Sequence, residues 1–437
     1  MTIVPLLLAI TALGLALLER DGTRSLPALA LLALTLTESW IAVWAGDTAP
    51  DGDARRAGPL ALAVQCAGLM FVSALVDLPR GSYLLHAGAT IAMAASAVFL
   101  VTAEQPRSRR WRFMLLMAVT ALVGLNLLKS LPRPGIDVLM FQREALDRLL
   151  AGMNPYTMEF RDPYPPEWSA VFYGPGVSVD GILKFGYPYM PLTLVSALPG
   201  HLLGDVRYAS LCAMLLSAAL IAHARESRTS YLAAALLLTT PAFPTMLLKG
   251  WVEAHVVALV AATWWVYCRA PRLLPYAAGL LFAAKQYTII IVPALLMLAR
   301  HPALPYGTVP FLARAVVTGA AITLPLALWD ISAFLHSVAW LQFRQPFRWD
   351  ALSFLTLLKT TTPERWVALS FAMTAAAWLV IARAGRRVSF PLAIALAFLA
   401  FFAFNKQAFL NYYYLVLGCL CVALAATEPE RADHLAA

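Results

Sequence analysis

Apolar residues in this chain run in long, nearly unbroken blocks, and polar residues gather in the intervals between them. Five blocks open the sequence, at 3–18, 26–45, 59–76, 83–102 and 113–131. Each is close to the ~20 residues with which a helix crosses a bilayer. Blocks at 206–223, 231–247, 311–329, 366–383, 390–404 and 409–425 repeat the pattern, as does the run between Glu253 and Arg269. The tract 187–203 is apolar but broken by Pro188, Pro191 and Pro199, and reads as an interfacial or re-entrant helix. The block 273–299 is too long for one crossing, is interrupted by Lys285 and Gln286, and has basic flanks at both ends, Arg269 with Arg272 and Arg300. It reads as a hairpin of two short helices. Each arm would be about 20 Å long, less than the ~30 Å hydrocarbon core, so the Lys285 bend is expected inside a protein cavity below the membrane surface. The reading is an all-α polytopic membrane protein of about fourteen transmembrane helices.

One interval breaks the pattern with a polar helix of its own. Pro132 and Pro134 stop the fifth block, Gly135 and Asp137 can start a helix, and Val138, Phe141, Ala145 and Leu149 recur at helical spacing before Gly152 ends it. Arg143 with Asp147 and Glu144 with Arg148 are opposite charges four apart, which marks a water-facing side. Asp137 and Glu144, seven apart, share a face. The interval continues to 186, rich in proline and aromatics (Pro163, Tyr164, Pro165, Pro166, Trp168, Tyr173), more like a substrate platform than a linker. A second long interval, 330–363, holds Trp340, Arg344, Arg348, Trp349 and Asp350.

Composition sharpens this picture. At 437 residues, 61% hydrophobic and 13% charged, the chain is too apolar for a soluble protein. The net charge of +9 does not argue for nucleic acid, because the basic residues sit at the ends of the blocks. Arg107, Arg109, Arg110 and Arg112, with Arg55 and Arg56, mark the cytoplasmic side, which puts both termini inside and Asp137 outside. Arg225, Arg228, Arg383, Arg386 and Arg387 agree. The five cysteines all lie in apolar runs, so buried thiols and no disulfide framework are expected. The first block lacks a basic leader and a small-residue cleavage site, as a retained span does. Arginine outnumbers lysine and alanine and leucine dominate, the composition of a bacterial, GC-rich source.

The candidate chemistry follows from where charge is placed. Asp137 reads either as a helix N-cap or as a general base in the mouth of a membrane enzyme, and the two are compatible. Lys285 is an ionisable group at membrane depth, either snorkelling or facing an anion such as a lipid phosphate. With Gln286, Arg344, Arg348 and Lys406 it can form a basic cavity for a phosphate leaving group. Lys249 and Lys406 are, taken singly, interfacial anchors. Glu253 either pairs with Lys249, four residues before it, or orients a sugar hydroxyl, and His255 reads as an interhelical hydrogen bonder or a substrate contact. Trp168, Trp340, Phe343 and Trp349 suit either sugar stacking or an interfacial aromatic belt. No His/Cys/Asp cluster has metal-ligand spacing and no glycine-rich phosphate loop is present, so no metal site is expected and a divalent requirement stays open.

The run Asp137, Phe141, Gln142, Glu144, Gly152, Asn154, Pro155, Tyr156, then Tyr187, Pro188, Pro191, Pro199 and Lys285, resembles the C-type glycosyltransferase superfamily (GT-C). Nearest are the family 87-like, polyprenyl-phosphate-sugar-dependent mannosyl- and arabinosyltransferases. The similarity spans 137–300, and the last third matches in topology. It implies a GT-C-like helix bundle with juxtamembrane helices in the first large external loop and Asp137 as general base. Glu144, Asn154, Tyr156, Tyr187, Lys249, Glu253 and His255 are the residues expected to contact substrate. The implied donor is a polyprenyl-phosphate-linked sugar, the acceptor an extracytoplasmic glycan or glycolipid, and the location a bacterial plasma membrane. In the family this acid follows the first span, whereas here about four extra spans precede it. The expected division is therefore an N-terminal membrane module, 1–104, and a catalytic membrane domain, 105–437, with external loops 132–186 and 330–363. The competing readings are a transporter or flippase for a lipid-linked or anionic solute, and a membrane glycan ligase or polymerase.

Overall fold

The structure is a computed structural model that describes residues 3–45, 51–131, 134–358 and 362–427, the side chains of 20, 51–55 and 80 excepted. The stop expected at Pro132, the Arg55 side chain and the tail beyond 427 fall outside these residues. The chain opens with α1 (Ile3–Ala16), α2 (Leu26–Trp44), α3 (Asp51–Ala74), α4 (Arg80–Val101) and α5 (Pro106–Ser130). The polar interval follows as α6 (Asp137–Leu150), α7 (Pro166–Tyr173) and α8 (Pro191–Leu202). Between them lies a small antiparallel sheet that the sequence reading missed, β1 (Phe160–Arg161), β2 (Ser178–Val179) and β3 (Ile182–Leu183), in the order β1-β3-β2. Leu183 pairs with both Phe160 and Ser178.

The bundle resumes with α9 (Arg207–Arg225), α10 (Arg228–Leu238), α11 (Phe243–Lys249) and α12 (Glu253–Arg269). α10 and α11 meet at a bend of 58°, where Pro241 lacks the amide hydrogen that would continue the ladder. The interrupted block splits into two short helices, α13 (Leu274–Phe282) and α14 (Ala294–Leu298), with a 3-10 turn at Gln286–Ile291 between them. Then come α15 (Thr308–Ala327), α16 (Ile331–Leu335), a π turn at His336–Trp340, α17 (Leu341–Arg344), α18 (Ala368–Ala384), α19 (Phe390–Phe402) and α20 (Leu410–Ala425).

Among the described residues seven helices are long and apolar enough to cross a membrane, or eight if α10 and α11 are one bent span. Three further apolar helices, α1, α19 and α20, are shorter. By helix length the crossings therefore do not reach fourteen, although the expected apolar blocks are all helical. Large apolar side chains such as Leu84, Leu85, Val316 and Val317 lie on the surface, as lipid-facing residues of a multi-pass membrane protein do.

Two cores hold the molecule together. The larger runs without a break from α1 to α20, and every residue of α19 is buried in it. α1 lies against α20, and α2 against α19. One end of this bundle is basic: Arg110 pairs with Glu226, and Arg269 donates to the Ala224 carbonyl at 2.8 Å. The smaller core lies at the opposite end and is built from the polar interval. Phe141 of α6 packs 4.6 Å from Phe160 and 5.5 Å from Phe185, with Tyr156, Tyr173, Tyr187 and Leu341 around them. Burying these rings against one another fixes α6, whose polar side faces outward.

The ion pairs expected along α6 do not form as drawn. Arg143 lies 3.6 Å from Glu144, and Asp147 takes His201 of α8 at 3.0 Å, because α6 packs against α8. Of the cysteines, Cys66, Cys419 and Cys421 are buried, but Cys212 is exposed on α9 and Cys268 partly so; none of the five is joined in a disulfide.

Candidate functional site

Asp137 is the first residue of α6, one position past the N-cap Ile136, so it is not the cap itself. Its Oδ1 accepts from the Val138 amide at 2.7 Å and its Oδ2 from the Tyr173 hydroxyl at 2.8 Å, and its own amide donates to the Tyr164 hydroxyl at 3.4 Å. Its side chain is half-buried. Burial pushes its carboxyl above the usual carboxylate range, opposed by the bonds from Tyr173, Val138 and Tyr164 and by the charge of Lys249. A carboxylate held in this way at a helix N-terminus is partly stabilised by the helix dipole and remains able to accept a proton.

Lys285, at the bend of the α13–α14 hairpin, forms a buried ion pair with Glu253 at the start of α12. Its ammonium lies 4.9 Å from the Tyr189 ring, 5.2 Å from Tyr287 and 5.5 Å from Tyr412. The Tyr287 hydroxyl donates to the same Glu253 oxygen at 3.3 Å, while the second carboxylate oxygen is buried without a partner among the described residues. Tyr189 and Tyr412 each feel the charge of both Asp137 and Glu253. The charges of the early acid and of Glu253 thus act on the same two tyrosines.

This geometry redistributes the residues expected from sequence. Glu253 pairs with Lys285, and Lys249 instead pairs with Asp21. Lys406 is held by backbone carbonyls, donating to Gln342 at 2.8 Å and Gln345 at 2.6 Å at the end of α17, and burial lowers its pKa. Arg348 is anchored by Asp350 at 2.6 Å and lies over Phe172 and Phe409. Gln286 donates to the carbonyls of Pro188 at 2.7 Å and Val338 at 3.1 Å. These three are committed to fixing loops, not to presenting a basic surface. Arg344 is exposed, 5.0 Å from the Trp340 ring.

The expected substrate contacts divide in the same way. Tyr156 is buried and donates to the Tyr189 carbonyl at 2.9 Å, Tyr187 shares a 3.2 Å bond with Thr193, and Asn154 accepts from the Tyr156 amide at 2.9 Å. They build the floor of the site. His255 is buried, its Nε2 without a partner among the described residues. Glu144 lies in a separate open cleft of about 450 Å³ with Arg143, Asp147, His201 and Asp205, and Asp137 does not line it. Trp168, Trp340, Phe343 and Trp349 remain exposed.

Sequence reasoning missed Tyr173, Tyr189, Tyr287, Tyr412 and Asp21 as site residues. Tyr189 was within reach: it lies two residues past Tyr187 in the same proline-flanked stretch, and its ring lies 4.9 Å from the Lys285 ammonium. Among the described residues no group of three or more His, Cys, Asp and Glu is placed to hold a metal ion. No protein-family model matches the chain, and neither the curated proteins nor the solved structures give a match.

Proposed function

We propose that this chain is an integral-membrane glycosyltransferase with a GT-C-like bundle of membrane helices. It moves a sugar from a polyprenyl-phosphate donor to a glycan or lipid acceptor outside the cytoplasm, with inversion at the anomeric carbon. The observation that carries this reading is the buried Lys285–Glu253 pair among Tyr189, Tyr287 and Tyr412, two of which, Tyr189 and Tyr412, also feel the charge of Asp137 at the start of α6. An acceptor hydroxyl is a weak nucleophile near neutral pH. Asp137 takes its proton as the oxygen bonds to the anomeric carbon. The bond from that carbon to the phosphate oxygen breaks at the same time, and the departing lipid phosphate gains charge, which Lys285 stabilises in a site of low dielectric. Arg344 is the exposed cation left to assist it.

The clustering of Arg110, Arg225 and Arg269 at the opposite end supports an extracytoplasmic Asp137 in a bacterial plasma membrane. The test is transfer from a polyprenyl-phosphate hexose by the purified protein. Asp137→Asn should lose about 10²- to 10⁴-fold in rate, the usual contribution of a general base. Undiminished transfer would remove the base. A second reading, a flippase or transporter, is favoured by the charged pair at the bend of a broken hairpin, where such proteins place their substrate. It requires movement of a lipid-linked sugar across proteoliposomes with its glycosidic bond intact.

A further inference from the structure

The turn between α1 and α2 reaches the Asp137 site from the start of the chain. Residues Arg20–Gly22 form one 3-10 turn in which Asp21 and Gly22 have φ of 64° and 65°. A side chain at Gly22 would overlap the Leu410 backbone, so the turn is pressed against the first residue of α20. Thr23 bridges to Ala351, the Arg24 amide donates to the Asp350 carbonyl at 2.8 Å, and the Arg24 guanidinium donates to the Thr356 carbonyl at 2.7 Å.

From this platform the Asp21 carboxylate forms an ion pair with Lys249, the last residue of α11. Lys249 also lies 5.1 Å over the Trp251 ring, and its charge acts on Asp137. The next residue, Gly250, packs against Leu139 of α6, and its carbonyl accepts from Gln142 of α6 at 2.8 Å. One dipeptide step, Lys249–Gly250, therefore joins the α1–α2 turn to the helix that begins with Asp137.

We propose that Asp21 is a positioning residue of this site: by fixing Lys249 it sets the charge that faces Asp137, which makes the α1–α2 turn part of the site wall. The proposal rests on the transferase reading only in taking Asp137 as the base; the ion pair and its reach to Asp137 do not depend on the reaction. Near this pair lie Arg207 of α9, packed on Gly250 and already paired with Asp205, and Asp350, whose carbonyl takes the Arg24 amide and whose carboxylate is paired with Arg348; the Lys249 charge also reaches Asp137 of α6. Tyr173 and Tyr164 face Asp137 from its other side.

The experiment uses the full chain in lipid nanodiscs and dicyclohexylcarbodiimide, which reacts with protonated carboxyls in apolar surroundings. Labelling of Asp137 is followed by peptide mass spectrometry as a function of pH. Asp21→Asn keeps the side-chain shape and a residue type that tolerates positive φ, while removing the anion. It should move the labelling midpoint of Asp137 to lower pH, because the Lys249 cation is no longer neutralised. Lys249→Gln should move it to higher pH, and the double variant should return close to the wild-type midpoint. The acid limb of the transfer rate should follow the same displacements. No displacement in the two single variants, or displacement of both in one direction as general loosening would give, overturns the proposal. Should wild-type protein transfer no sugar, the transferase reading fails by itself and the labelling midpoints still decide the role of Asp21.

Discussion

Lys285 and Glu253, thirty-two residues apart, meet as a buried ion pair inside a ring of three tyrosines. Such a pair is costly to desolvate and costlier to halve, because removing one partner leaves the other charge buried and uncompensated. Its position at the bend of a broken hairpin gives the pair a reason to exist other than stability.

Lys285→Ala should lower stability by about 3–5 kcal/mol, whereas Lys285→Met combined with Glu253→Gln should recover most of that loss. Unfolding of the purified protein by heat or by sodium dodecyl sulfate measures both. Equal losses in the single and double variants would show that packing, not charge, holds the hairpin.

Asp137 should make stability fall as pH rises. Its folded-state pKa is raised above 3.8, so the folded chain holds the proton longer than the unfolded chain does. The stabilising contribution is complete below the unfolded value and is lost as pH rises through the folded value. Asp137→Asn should therefore have a higher melting temperature than wild type at pH 7 to 8, with the difference shrinking toward pH 4. A difference that does not vary with pH would contradict the burial of this carboxyl.

Tyr173→Phe removes the hydroxyl that donates to Asp137 Oδ2 at 2.8 Å. A hydrogen bond to a charged group is worth about 1.5–3 kcal/mol, so the Asp137 pKa should rise further and transfer on the acid side should fall roughly 10- to 100-fold. The acid limb of the rate against pH checks this. A lower rate with an unmoved limb would make Tyr173 a packing residue only.

Gly250→Ala should loosen the joint between α6 and α11. Gly250 has φ of 59°, and a Cβ there would overlap Leu139. Left-handed backbone alone costs a non-glycine residue about 1–2 kcal/mol, so the loss should exceed that amount. Hydrogen exchange in α6, compared between wild type and variant, reads it directly.

Much of the architecture was legible because length and apolarity alone dictate it. The blocks that became α2, α4, α5, α9 and α15 could hardly be anything but membrane helices, and a lysine in the middle of an apolar run marked the hairpin bend at Lys285. The polar helix was also legible, from Gly135 and Asp137 at one end and Gly152 at the other. Ion pairing was not. Lys249 and Glu253 have the four-residue spacing of helical partners, but Gly250 takes a left-handed conformation and ends α11 between them, so they sit on different helices. Each then finds a partner distant in sequence, Asp21 and Lys285, which spacing rules cannot anticipate. Lys406 and Arg348 show the same dependence on the fold: a cation in a loop can bind a phosphate or cap carbonyls and carboxylates nearby, and here each has such protein partners.

The central claim is that the phosphate of a polyprenyl-phosphate sugar binds at Lys285 with its sugar directed toward Asp137. A cryo-electron microscopy structure of the protein in nanodiscs with a non-hydrolysable polyprenyl-phosphonate sugar tests it most directly. The account predicts phosphonate density within hydrogen-bond distance of Lys285 Nζ, with the anomeric carbon directed toward Asp137. Density for the headgroup on another face of the bundle, with the Lys285–Glu253 pair closed and undisturbed, would contradict it.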